Sequence, residues 1–337
     1  MSSTIACAPG QPATAAPRRT RRRAVLCTRG FVFCHCSSVT QPGDRIQSPL
    51  PCRCRPGSLL AGLEKLNRDT DRNWSRYASH RERVTELTLA ALSGHANGRV
   101  CILGAGNCND LSLAEVSTRA AEIHLVDADG GALERGVARA LRRRPLRTSG
   151  TTRLVLHAGI DLSGLPPGVM DEQRFSLSAV VKEALAGPRL AIGQPFDVVI
   201  SVGLLTQLIS LPVDALGAGH PELTPVVLAV RTGHMRLLVH LLRPGGHAVL
   251  ITDVVSSDTT PGLAGAPDEA LPRLLSGALA QRNFFTGVNP VKLRDELRTD
   301  PQLATTTTDS SLSGPWRWFI GPTRAYLVIG LTFRRTG

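Results

Sequence analysis

A chain of 337 residues with 42% apolar side chains has room for one large domain with attachments, and enough apolar material for a real core. Its net charge of +12 suggests a nucleic-acid binder only until that charge is located. Residues 1–57 hold nine Arg against one acid, Asp44, a net of +8, which leaves +4 for the rest of the chain. No apolar run reaches about 18 residues, so no membrane span is expected.

Residues 1–57 read as a disordered, basic, Cys-containing extension, rich in Pro, Gly, Ser, Thr and Arg, of a kind that a misplaced start codon would also produce. Six of the eight cysteines lie there. Cys34-His-Cys36 and Cys52-Arg-Cys54 have one intervening residue where zinc knuckles have about two to four, so no metal is expected. Arginines interrupt every apolar run near the start, which removes a secretory signal and leaves the cytoplasm as the expected compartment.

Residues 58–97 predict a helical cap. Leu59, Leu60, Leu63 and Leu66 recur at helical spacing, and Trp74, Tyr77, Val84 and Leu87 mark a further helix. Tyr77, His80 and Arg81 are dense in functional side-chain types. They read either as a solvated helix face or as groups closing over a ligand.

Residues 98–337 alternate strand and helix. Strand Val100–Leu103 runs into Gly104-Ala-Gly106, and the pattern predicts a helix over Leu111–Ala121 and a strand over Ile123–Val126 ending at Asp127. Glycines at 104 and 106 let backbone approach a ligand. Asp127 lies 23 residues after Gly104, in reach of a ribose diol. Further strands are expected at Leu154–Ala158, Phe196–Ser201 and His247–Thr252, with helices over Ala132–Leu141, Ser176–Ala186 and Leu223–Leu242 between them. Beyond Ser256 helices are expected over Leu271–Ala280 and Pro290–Leu297, then strands at Ala304–Thr308 and Tyr326–Arg334, antiparallel to each other. The fold class is therefore α/β, a doubly wound, mostly parallel seven-stranded sheet with an antiparallel final strand, in three layers.

This ordered set resembles the class I, Rossmann-like, S-adenosylmethionine-dependent methyltransferases over roughly residues 75–335. The matching pieces are Leu103-Gly-Ala-Gly106, Val126-Asp127, Gly159-Ile-Asp161, Phe196-Asp-Val-Val-Ile200 and, most specifically, Leu242-Arg-Pro-Gly-Gly246 before a buried strand. The resemblance implies S-adenosylmethionine as cofactor. Backbone N–H groups at Gly104, Ala105, Gly106 and Asn107 would cradle it, and Asp127 beside Ala128 would take the ribose. Ile160 and Asp161 would take the adenine. Asp110 reads as a helix cap or as a carboxylate presented to the cofactor's ammonium. The family has an acid two residues before its first glycine and a third glycine, where this chain has Ile102 and Cys108.

The acceptor side is less specific. Ser201-Val-Gly-Leu-Leu-Thr-Gln207 stands where amino-adenine methylases carry Asn/Asp-Pro-Pro-Tyr/Phe, so that base chemistry is not expected. Ser201 and Gln207 are candidates for the acceptor pocket, with Tyr77, His80 and Arg81. A small-molecule acceptor is the leading expectation, with protein or RNA as alternatives; Arg142-Arg-Arg144 is the feature that keeps RNA open. His124, His220, His234 and His240 form no metal-ligand pattern and read as core or surface residues. Two other readings stand beside this one: a dinucleotide oxidoreductase, whose glycine fingerprint is broken at Asn109, and a non-catalytic scaffold, suggested by Ile102 and Cys108.

Overall fold

In a computed structural model, residues 57–143, 152–165 and 176–337 are described. The N-terminal extension with its Cys-His and Cys-Arg pairs, and Arg144, lie outside them. In chain order the elements are α1 (Gly57–Thr70), α2 (Ala78–Ala91), β1 (Gly98–Leu103), α3 (Leu113–Val116), β2 (Ala120–Asp127), α4 (Gly130–Arg143), β3 (Arg153–Ala158), α5 (Leu177–Ala186) and β4 (Phe196–Val202). They continue with α6 (Leu204–Leu216), α7 (Leu223–Leu241), β5 (Leu242–Ser256), α8 (Leu271–Ala280), α9 (Pro290–Thr299), α10 (Pro301–Thr306), β6 (Thr307–Phe319) and β7 (Ala325–Arg335).

The seven strands form one sheet in the order β3-β2-β1-β4-β5-β7-β6. Strands β1 to β5 pair parallel, whereas β7 runs antiparallel to both β5 and β6. This is the expected doubly wound sheet with one reversed strand. Its centre is apolar on both faces: Val100 to Leu103, Val198 to Ile200 and Ala248 to Ile251 are all buried. Strand order reverses between β1 and β4, which opens a crevice at the C-terminal edge of the parallel strands.

Three elements differ from the sequence expectation, each for a local reason. The helix expected over Leu111–Ala121 is the single turn α3, because Ser117 and Thr118 turn their hydroxyls back onto Ala114 O at 2.8 Å and Glu115 O at 2.7 Å, after which the chain enters β2. Helix α6 carries Pro212 inside it, a residue that reads as a helix stop, so Leu204, Leu205, Leu208 and Ile209 at helical spacing did not mark it. Ala304–Thr308 was expected as a strand. Residues 304–306 instead end α10, which Asp300 caps by accepting the Leu303 N–H, with Pro301 in its first turn. The strand begins at Thr307 and runs on through Trp316-Arg-Trp-Phe319, residues that lie between the two expected strands.

The Leu242-Arg-Pro-Gly-Gly246 segment opens β5, and Arg243 explains part of its role. Its Nε pairs with Asp197 at the start of β4, and its Nη2 lies 2.8 Å from Nδ1 of His95. The second Asp197 oxygen accepts the Arg99 N–H of β1 at 2.6 Å. One carboxylate thus joins β1, β4 and β5. Arg243 is half exposed, so the ion pair itself adds little. The backbone contact decides the outcome: Asp197→Ala is expected to cost about 2 kcal/mol in urea unfolding and Asp197→Asn less, because Asn keeps an acceptor for the Arg99 N–H.

Candidate cofactor and acceptor site

The site grows from the C-terminal edge of the sheet. After β1 the chain turns through Gly104 and Gly106, whose φ angles of +71° and +44° are left-handed. Cys108 also has a left-handed φ, +52°. The loop keeps the shape that glycine allows although a side chain must bear it, at a cost on the order of 1 kcal/mol. That thiol is buried and free, and burial pushes its pKa up to about 12, so it is no nucleophile.

For three of the four expected backbone donors, Gly104, Ala105 and Gly106, the cradle is corrected by this geometry. The Gly104 and Ala105 N–H groups both donate to Val126 O, at 2.9 and 3.2 Å, and the Gly106 N–H donates to Asp127 Oδ2 at 2.8 Å. The loop folds back onto the end of β2, and these donors hold the loop's own shape. The missing side chains make room within the fold, where Leu204 lies against Gly104 and Asn67 against Gly106.

Asp127 is half-buried at the tip of β2, and its other oxygen accepts the Asp129 N–H at 2.8 Å. Burial raises its pKa, against the pull of those two backbone donors. Capping of α4 falls to Asp129, which accepts the Ala132 N–H at 2.9 Å, so Asp127 is not spent on the helix. Ala128 lies half-buried between them. Ile160, whose N–H meets Asp127 O at 3.2 Å, is half-buried on the neighbouring loop. Asp161 is exposed and accepts the Ser163 N–H at 2.8 Å, a turn that its side chain closes.

Helix α1 ends on this loop. Its terminal carbonyls take one bond each within the chain, Asn67 O from the Thr70 hydroxyl at 3.3 Å and Thr70 O from the Asn73 N–H at 3.0 Å, and a second from the loop. Asn107 Nδ2 donates to Asn67 O and to Thr70 Oγ1, and Asn109 Nδ2 donates to Thr70 O at 2.9 Å. Asn67 in turn donates to Asp129 Oδ2 at 3.1 Å, and its side chain lies over Gly106. The side chain of Asn107 is therefore a cap for α1. Arg139 of α4 completes the join through Asp71 and Asn107 O.

Asp110 does not cap α3, whose N-cap is Ser112. Its Oδ1 is buried without a hydrogen-bond partner, 3.5 Å from His80 Nε2. Burial pushes the Asp110 carboxyl up to about 7, while the nearby Arg81 opposes the rise. Asp110, Ile102, Gly104, Cys108 and Val202 share the wall of a cavity of about 10 Å³, space for about one water.

Of the acceptor-side candidates, Tyr77 and His80 come together in a ring cluster with residues the sequence did not single out. Trp318 stacks on His80 at 4.4 Å and meets Tyr77 edge-on at 5.2 Å, and Tyr326 lies 5.9 Å from Trp318. Trp316 and Trp318 alternate on β6, a spacing that reads as two residues on one strand face once the segment is known to be extended. Arg81 stands apart. It lies over the Trp74 ring at 3.7 Å and donates to Trp74 O and Asn109 O, pinning the cap to the loop. Ser201 is corrected: it is fully buried with its hydroxyl 2.8 Å from Nε2 of His234 on α7, inside the fold. Gln207 donates to Gly203 O at 2.9 Å.

Beside these, Asp253 near the end of β5 accepts the Thr206 hydroxyl at 2.7 Å, and burial pushes its carboxyl up to about 6. No motif marked it. Its position two residues beyond the Val202–Ile251 pair places it at the same sheet edge as the glycine loop. A larger cleft of about 710 Å³ lies between α5 and α7, lined by Lys182, Arg189, Arg236 and His240. It adjoins the turn that feeds β5, at the opposite edge of the sheet. Among the described residues no cluster of His, Cys, Asp and Glu is placed to hold a metal ion, and no helix is long and apolar enough to cross a membrane.

No protein-family model and no curated protein matches the chain. Among solved structures, it is similar to the N-methyltransferase NodS from Bradyrhizobium japonicum WM9 in complex with S-adenosyl-L-homocysteine, at 15% identity and a TM-score of 0.41 over 83% of this chain and 99% of that one. It is also similar to the methyltransferase domain of a bacterial protein, CtHen1-C, at 14% identity and a TM-score of 0.40 over 76% and 98%. A third similarity is to magnesium protoporphyrin IX methyltransferase from Synechocystis PCC 6803 with bound S-adenosylhomocysteine, at 12% identity and a TM-score of 0.39 over 77% and 84%.

Proposed function

We propose that this chain is an S-adenosylmethionine-dependent methyltransferase that acts on a small-molecule acceptor. The observation that carries the reading is Asp127. It stands at the ligand edge of a 3-2-1-4-5-7-6 sheet, relieved of helix capping by Asp129 and held against Gly106. A carboxylate only accepts hydrogen bonds, and so suits a ribose diol. Ile160 offers an apolar surface to a purine, and Asn67 of α1 roofs the loop over Gly106.

The fit rests on residues that otherwise lack a purpose. Asp127 has lone pairs left over after its two backbone bonds, and Asp110 Oδ1 is an orphaned acceptor in the adjoining cavity. When bound, the sulfonium of S-adenosylmethionine supplies an activated methyl group, so the protein's part is to bind, align and exclude water. Thr206, Asp253 and the Tyr77–Trp318 pair face the task of holding the acceptor at the β4–β5 edge. Asp253 suits a proton-accepting role there.

A non-catalytic reading draws on one observation, the apolar Ile102 where an acid would help hold the cofactor. Calorimetry on the full chain separates the possibilities. Heat on adding S-adenosylmethionine and S-adenosylhomocysteine, with none for NAD, is the expected result. Absence of heat with both removes the methyltransferase reading, and binding of NAD instead turns it toward an oxidoreductase.

A further inference from the structure

We propose that His80, seated on Trp316, positions Asp110 to receive the cationic amino group of the cofactor, replacing the acid that β1 lacks at Ile102. This rests on the S-adenosylmethionine reading above and names the group that would hold one end of that ligand.

The orientation of His80 follows from its partner. Trp316 Nε1 is a donor only, and it lies 3.0 Å from His80 Nδ1. Nδ1 must therefore carry a lone pair, which puts the ring proton on Nε2. Trp318, stacked at 4.4 Å and 13°, fixes the plane of the ring. That N–H faces Asp110 Oδ1 across 3.5 Å, too long for a hydrogen bond, and neither atom has another partner although both are buried. A donor and an acceptor are left unsatisfied at matching positions, which a folded chain ordinarily avoids.

A cation resolves the mismatch. Placed in the Ile102–Asp110 cavity, an ammonium favours the ionised carboxyl, and an ionised Asp110 draws in the waiting N–H. His80 adds no charge of its own, because burial, aided by Arg81, pushes it down to about 3. Among the other groups facing Asp110 only Arg81 is charged, and it favours the ionised carboxyl without overcoming burial. Tyr77 and Cys108 stay protonated, both raised by burial and by Asp110 itself. Arg81 lies nearby, with its guanidinium shared among the Trp74 ring, Trp74 O and Asn109 O. Ile102 cannot serve, and it lines the same cavity as Asp110. The wire from Trp316 also ties β6, at the far edge of the sheet, to the loop after β1.

The test compares two probes by calorimetry on the full chain: S-adenosylhomocysteine, and 5′-methylthioadenosine, which keeps the adenosine thioether but lacks the amino-acid end. With Asp110 titrating at about 7, binding of S-adenosylhomocysteine is expected to tighten about eightfold from about pH 6 to about pH 7.5, while methylthioadenosine stays flat. Asp110→Asn is expected to abolish that slope and weaken S-adenosylhomocysteine by roughly tenfold or more, leaving methylthioadenosine unchanged. His80→Ala is expected to move the midpoint of the profile upward by about half a pH unit or more, and His80→Gln, which restores an N–H, to move it back. Retained methylthioadenosine binding certifies that each variant is folded, and Trp316→Phe provides a second, milder perturbation with the same expected direction. Equal loss of both probes in Asp110→Asn, a flat profile in the unmodified chain, or an unmoved midpoint in both His80→Ala and Trp316→Phe overturns the proposal. Failure of both probes to bind the unmodified chain removes the cofactor reading itself.

Discussion

Asp127→Ala is expected to weaken S-adenosylhomocysteine binding by roughly a hundredfold, the effect of losing two hydrogen bonds to a charged acceptor at about 1.5 kcal/mol each. The same change removes the acceptor for the Gly106 and Asp129 N–H groups, both at 2.8 Å, so stability falls as well. These two losses are separable. Asp127→Asn keeps one oxygen and presents an amide elsewhere, so it is expected to lose most of the binding but only part of the stability. Calorimetry reads the first and thermal unfolding the second. Binding that survives Asp127→Ala unchanged would place the ribose site elsewhere.

Gly136→Ala carries the second large effect, and it runs against helix propensity. Glycine sits inside α4, where alanine would ordinarily gain about 1 kcal/mol. A Cβ at this position would, however, lie 2.5 Å from the carbonyl carbon and oxygen of Asn107. Those are backbone atoms of the glycine loop, held by Arg139 on the same helix, so they cannot swing aside as a flexible side chain would. Overpacking of this kind costs about 1 to 3 kcal/mol or more. Steric repulsion therefore wins. The expected outcome is a net loss of about 2 kcal/mol in urea unfolding, together with weakened binding of S-adenosylhomocysteine because the loop is displaced. A stabilised Gly136→Ala chain would show that α4 and the loop part easily.

The central sheet was legible because its strands are continuous apolar runs bounded by glycine or proline, and position in a parallel core demands that composition. Gly104, Gly106 and Asp127 were legible for a related reason: left-handed backbone and a strand-end acid leave a mark in residue type. The role of Asn107 was not, and Asp110 was legible only as two alternatives, a helix cap or a carboxylate for an ammonium. Both are polar residues in a loop, and only the fold decides that Asn107 turns to the end of α1 while Asp110 turns inward to His80. Helix α6 escaped because Pro212 inside it reads as a helix stop, and β6 because Trp316 and Trp318 lie between the two expected strands. Asp253 gave no signal at all, since a single acid in an apolar strand acquires meaning only from Thr206 across the sheet edge.

The join between α1 and the glycine loop has a practical consequence for shortening the chain. Asn107 and Asn109 satisfy carbonyls at Asn67 and Thr70, and Arg139 reaches Asp71. Cutting away residues before about position 72 would strip those partners from three side chains at once, all of them on or beside the glycine loop. An N-terminal trim placed there is a loop mutation in disguise, and its boundary belongs ahead of Gly57, where α1 remains whole.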